Sequence, residues 1–139
     1  MIVSDCTLIV QFFLTTPETE LARRIAMADD VWLVPPLWRS ELRSVLRKYF
    51  LREEASVERC IDVTLAAEAR LSGGETQVSS AAVMNVVATS RCSAYDAEYI
   101  SLAQSFSVPL VTSDRRLCES FPTVAVSPAE FLSAYRGGD

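Results

Sequence analysis

Four carboxylates stand beside apolar stretches, where charge is expensive to keep. Asp5 follows "IVS", Glu41 sits in "WRSEL", Asp96 in "SAYDA", and Asp114 follows "LVTS". Carboxylates in such places can hold a divalent cation, orient a water or move a proton. Few other groups compete for these roles. The 139 residues include no histidine, which removes imidazole bases, histidine-ligated zinc and Ser-His-Asp triads together. Cys6, Cys60, Cys92 and Cys118 form no CxxC pair and lie in apolar or helical stretches, so they read as buried, reduced thiols rather than zinc ligands. With oxygen ligands alone, the cation would be Mg²⁺ or Mn²⁺.

The elements that must position these acids follow from the pattern of apolar residues. Half of the chain is hydrophobic, and its length suits one domain with a real core, spanning 1–139. Ile2–Ser4 reads as a short buried strand ended by Asp5, followed by helix from about Thr7 and again from Pro17 to about Met27. "VWLVPP" is a second strand, stopped by prolines that cannot continue a ladder. Helices are expected from Trp38 to about Leu51 and from Ser56 to Leu71, the second capped by Ser56 and ended by "SGG". "TQVS" reads as a brief strand before a helix over Ala81–Thr89. The stretch from Ser93 is helical, and "VPLVTS" is a strand. A helical turn around Arg116–Ser120, the strand "TVAVS" and a helix from Pro128 to about Tyr135 complete the order, with "RGGD" a frayed tail.

Strands that are apolar on both faces and alternate with helices specify an α/β fold, a mostly parallel central sheet in a three-layer α/β/α sandwich. In such sheets ligands bind beyond the carboxyl ends of the strands. Asp5 and Asp114 fall at two of those ends, and Glu41 falls in the first turns of the helix after the second strand. At about 100° per residue, Trp38, Leu42, Val45, Leu46 and Tyr49 share an apolar arc with Glu41 at its edge. Arg39, Arg43 and Arg47 form a stripe on the far side, pointing to solvent or to an acidic partner. The same rotation sets Asp96 on the face of Tyr99, Ile100, Ala103 and Phe106.

Taken singly, each acid has a structural explanation. Asp5 and Asp114 can cap the helices that follow them, Asp96 belongs to an approximate capping box with Ser93, and Glu41 favours a helix dipole. Together they pose a cost that capping does not meet. Two carboxylates 4 Å apart repel by about 4 kcal/mol at an effective dielectric near 20, whereas a cap contributes about 1 kcal/mol. A cation, or raised pKa values, makes such a cluster tolerable.

The order of motifs resembles that of the PIN-domain ribonucleases, most closely the toxins of VapBC-type toxin–antitoxin modules, over essentially the whole chain. "IVSDCTLIV" resembles the family's first strand and aspartate, and "VPPLWRSELRSVL" its proline-ended strand and acidic helix. "SAYDAEYISLAQ" and "PLVTSDRRL" resemble the third and fourth motifs. Ser44 stands where many relatives have asparagine. The resemblance implies a Mg²⁺- or Mn²⁺-dependent endoribonuclease, neutralised by a cognate antitoxin and commonly a homodimer, for which "FLTTPETELARRIAMA" offers a mixed pairing surface.

In that reading Asp5 and Asp96 bind metal directly, while Asp114 and Glu41 hold metal-bound waters or a second ion. Thr112 and Ser93 bond those waters or the phosphate, or serve only as strand-end and capping hydroxyls. The formal charge of −5 argues against a basic, RNA-coating surface, so backbone contacts fall to local cations: Lys48 and Arg52 on Glu41's side of the helix, and Arg115 and Arg116 beside Asp114. A phosphotransfer domain with an aspartyl nucleophile fits poorly, because Cys6-Thr7 follows Asp5 where a DxD motif is needed. The remaining alternative is a catalytically inactive PIN-like module that binds RNA or protein. The short N-terminal apolar run is preceded by an acid and resembles neither a signal peptide nor a membrane span, so a cytoplasmic location is expected.

Overall fold

A computed structural model describes residues 1–136. Among these, the strands are β1 (Ile2–Ser4), β2 (Trp32–Leu33), β3 (Leu110–Val111) and β4 (Ala125–Val126). The helices are α1 (Cys6–Phe13), α2 (Thr19–Ala28), α3 (Trp38–Leu51), α4 (Val57–Leu71), α5 (Ser80–Ser90), α6 (Ala94–Phe106), α7 (Arg115–Ser120) and α8 (Pro128–Arg136). The sheet is wholly parallel, in the order β2-β1-β3-β4. β1 therefore lies at the centre, with Val3 opposite both Leu33 and Leu110.

The alternation along each strand explains the three layers. Ile2, Trp32, Val111 and Val126 face a core shared with Leu8, Ile9, Ile25, Trp38, Leu42, Leu71 and Leu132 of α1–α4 and α8. Val3, Leu33, Leu110 and Ala125 face the opposite core, filled by Val83, Val86, Ile100 and Leu117 of α5–α7. Apart from the buried Ser4 at the end of β1, every strand residue is thus apolar on one face or the other, as the sequence demands of a two-sided parallel sheet.

The helix starts follow local chemistry. Ser56 caps α4 by accepting from the Arg59 amide at 3.1 Å. Ser127 and Glu130 form a reciprocal capping box at α8, with Pro128 as the first helical residue. The strands are shorter than their apolar runs, because prolines 35 and 36 follow β2 and Pro109 precedes β3.

One expected element is absent. Residues 76–79 are not a strand; the only pairing nearby is an isolated parallel bridge, Val34 to Glu75. The backbone at Gly74 explains the shift. Gly74 accepts from the Val34 amide at 3.1 Å, and a Cβ there would meet the Trp32 carbonyl oxygen at 2.0 Å. "SGG" therefore ends α4 and also lets the chain press against β2. The expected tail residues Gly137 to Asp139 lie outside the described residues. No helix among those described is long and apolar enough to cross a membrane.

Candidate active site

Asp5 leaves the carboxyl end of β1 and caps α1. Its Oδ1 accepts from the Leu8 amide at 2.9 Å, and its Oδ2 accepts from the Thr112 hydroxyl at 2.5 Å. Thr112 is wholly buried at the end of β3, and its Oγ1 accepts in turn from the Asp114 amide at 3.0 Å. One threonine thus ties the ends of two neighbouring strands together. Its single proton is committed to Asp5, which leaves it less free to serve a bound water or phosphate. Asp114 caps α7, accepting from the amides of Arg116 and Leu117 at 2.9 and 3.3 Å.

Glu41 is half-buried in the first turn of α3, at the edge of the arc formed by Trp38, Leu42 and Leu46. Tyr99 of α6, itself buried, donates its hydroxyl to Glu41 Oε1 at 2.5 Å. Asp96 is half-buried in the first turn of α6, where Ser93 accepts from its amide at 3.0 Å. Ser93 therefore acts as a cap. The face expected to carry Asp96 is buried at Tyr99, Ile100 and Ala103, but Phe106 is exposed.

The electrostatics bind the acids into one chain of like charges. Burial pushes the Asp5 carboxyl up to about 6, against the Thr112 and Leu8 hydrogen bonds, and the charges of Glu41 and Asp114 push the same way. Burial also raises Glu41, offset by the Tyr99 hydroxyl and reinforced by Asp96 and Glu98. Asp5 thus feels Asp114 and Glu41, and Glu41 feels Asp96. Burial pushes the Cys6 thiol up to about 12, so it is no nucleophile near neutral pH.

Whether this set suits a divalent ion can be judged from its donors. Among the described residues, no three acids or thiols are drawn together tightly enough to enclose an ion unaided. Mg²⁺ does not require that, since it keeps several waters and takes one or two carboxylates. The oxygen-only donors, the mutual repulsion and an orphaned acceptor, Glu98 Oε2, all fit such an ion. Glu98 was not expected. Two residues beyond Asp96 it lies about 200° around the helix, and only the tertiary fold carries its charge toward Glu41.

The PIN domain family profile matches residues 2–120. The chain belongs to the PIN-domain family. Its members are in general metal-dependent nucleases. Among solved structures, this PIN domain is similar to the crystal structure of FitAcB from Neisseria gonorrhoeae, at 15% identity with a TM-score of 0.69, covering 93% of this chain and 99% of that one. That likeness concerns the fold. A comparison with curated proteins gives no match.

The cations sort less simply than the acids. Lys48, exposed on α3, and Arg52, exposed just past its end, stand about 10 and 16 Å further along the helix axis than Glu41. Arg116 lines a cavity that also includes Asp96 and Asp114, whereas the exposed Arg115 does not line it. Arg39, expected to face solvent or a partner with Arg43 and Arg47, instead pairs with Glu68 and Glu75, each at 2.9 Å. Both partners lie far off in sequence, where helical periodicity cannot reveal them.

Proposed function

We propose that this PIN-domain chain, as one domain over residues 1–139, is a Mg²⁺- or Mn²⁺-dependent endoribonuclease and the toxin of a toxin–antitoxin pair. The observation that carries the reading is the line of mutually repelling carboxylates, Asp114, Asp5, Glu41 and Asp96, at the carboxyl rim of a parallel sheet. Capping alone gives no reason to gather them.

In this reading Asp5 and Asp96 hold the ion, and Asp114 and Glu41 hold its waters. When bound, the ion polarises a phosphoryl oxygen and makes water a better nucleophile. The chain's own residues supply the rest. Tyr99 fixes the Glu41 carboxylate, whose raised pKa suits it to take a proton from the attacking water. Thr112 holds Asp5 and the Asp114 backbone in register, so the two acids keep a fixed separation. Ser93 fixes the start of the helix that presents Asp96.

Two associations belong to the proposal: a homodimer, and a cognate antitoxin that places an arginine or lysine among the acids. Such a cation would take over the ion's charge and relieve the repulsion between carboxylates. The test is cleavage of single-stranded RNA by purified protein with Mg²⁺, with Mn²⁺ and with chelator. Metal-dependent cleavage is expected. Its absence with both ions would leave an RNA- or protein-binding module in its place.

A further inference from the structure

We infer that the cavity beside Asp96 and Asp114 receives an RNA backbone phosphate adjoining the one to be cleaved, with Arg91 and Arg116 as its cationic wall. The inference rests on the ribonuclease reading and extends its substrate contacts. The cavity has a volume of about 320 Å³ and lies where the end of α5 meets the starts of α6 and α7. Asp96 and Asp114 form the acidic side, while Arg91 and Arg116 supply positive charge within the same hollow.

The chain carries a formal charge of −5, so an incoming polyanion must be met by local cations. Several arginines are committed elsewhere. Arg39 pairs with Glu68 and Glu75, Arg70 stacks on the rings of Phe12 and Trp32, and Arg59 donates to the Phe13 carbonyl. Arg91 and Arg116 are exposed and border the proposed metal ligands themselves.

Arg91 also holds a backbone position that favours glycine. It ends α5 in the left-handed conformation, φ 60° and ψ 19°, a place usually filled by glycine or asparagine. Glu53 and Ser107 adopt positive φ as well, so the backbone by itself assigns no role. What distinguishes Arg91 is that its cavity also holds the acids.

The lining further separates phosphate from base recognition. Among the described residues it includes Ser93 and Ser120 but no aromatic ring on which a base could stack. The contact is therefore to the backbone and tolerant of sequence.

The test uses Arg91→Gly, Arg116→Gln and, as a control, Arg47→Gln on the exposed side of α3 turned away from Glu41. Glycine accepts the left-handed backbone at position 91, so Arg91→Gly should melt no lower than the parent. Binding of a labelled single-stranded RNA oligonucleotide is measured by fluorescence anisotropy in chelator over a salt series. Each cavity variant should bind about fivefold more weakly near 0.1 M salt, with a log–log salt slope shallower by about 0.7, and Arg47→Gln should match the parent. Affinities and slopes shared by the parent and both cavity variants, including no binding by all three, would overturn the inference. Parallel cleavage assays in Mg²⁺ separate the two claims. A parent that cleaves while the variants bind unchanged sinks the phosphate pocket alone. A parent that binds through both arginines without cleaving sinks the nuclease reading and leaves the pocket standing.

Discussion

Two groups of charges lie close together around the start of α3 and behave in opposite ways. Arg39 is ion-paired to Glu68 and Glu75, Trp38 Nε1 donates to Glu75 at 3.3 Å, and the guanidinium stands 5.2 Å from the Trp38 ring. The hydrogen bond from Arg39 draws Glu75 below the usual carboxylate range. Two residues further on, Glu41 belongs to a line of acids with no cation among its hydrogen-bond partners, and burial moves Glu41 and Asp5 upward instead. The first group balances its charges and ties α3 to α4 and to the segment after it. The second costs stability in the protein alone, a cost that the proposed cation would offset.

That contrast is most sharply broken by removing charge from each group. Asp96→Asn and Asp114→Asn should each lower metal-dependent cleavage by at least about 100-fold, the upper range for losing even an outer-shell partner. Asparagine caps a helix as well as aspartate, so Asp114→Asn should keep its melting temperature. A capping role alone would leave cleavage unchanged, which steady-state rates on one RNA would reveal.

Tyr99→Phe should cost about tenfold and should also move the pH profile. The hydroxyl favours charged Glu41, so without it the Glu41 pKa climbs further and the acid limb of the rate profile shifts to higher pH. Rates measured across pH for parent and variant check both parts. Arg39→Gln should do the reverse of an acid exchange. It should lower the melting temperature while metal-dependent cleavage stays near the parent's, since its partners are structural acids outside the rim.

A separate effect concerns pH and stability without metal. The folded pKa of Asp5, about 6, exceeds its ordinary 3.8. The native state therefore holds this proton more tightly than the unfolded chain does. The resulting stability is fully present below about pH 4, is lost as pH rises toward 6, and is flat above that. It amounts to about 3 kcal/mol. Denaturant melts in chelator should show this decline in the parent and less of it in Asp5→Asn.

Much of this was readable from residue order because the deciding interactions are local. Two-sided apolar runs marked β1 and β3, and Ser56, Ser93 and Pro128 marked helix starts through contacts a few residues long. Asp5, Glu41, Asp96 and Asp114 were readable as a candidate set because parallel sheets place ligands beyond one rim. What escaped depends on distant neighbours. Arg39 meets partners 29 and 36 residues away, and the pairing of Glu75 with Val34 depends on the close approach at Gly74. The orphaned Glu98 oxygen becomes visible only once α6 is packed. Arg91 escaped for another reason: its left-handed conformation carries no glycine to announce it.

The central claim is that Asp5 is kept to serve a cation rather than to cap α1. Thermal melts of the parent and Asp5→Asn, each in chelator and in Mn²⁺, test it without relying on activity. The parent should be stabilised by the ion, by about 2.7 kcal/mol at 100 times its dissociation constant. Asp5→Asn should melt at or above the parent in chelator and gain far less from Mn²⁺. A parent indifferent to Mn²⁺, with Asp5→Asn melting lower in chelator, would contradict the claim and leave Asp5 a helix cap.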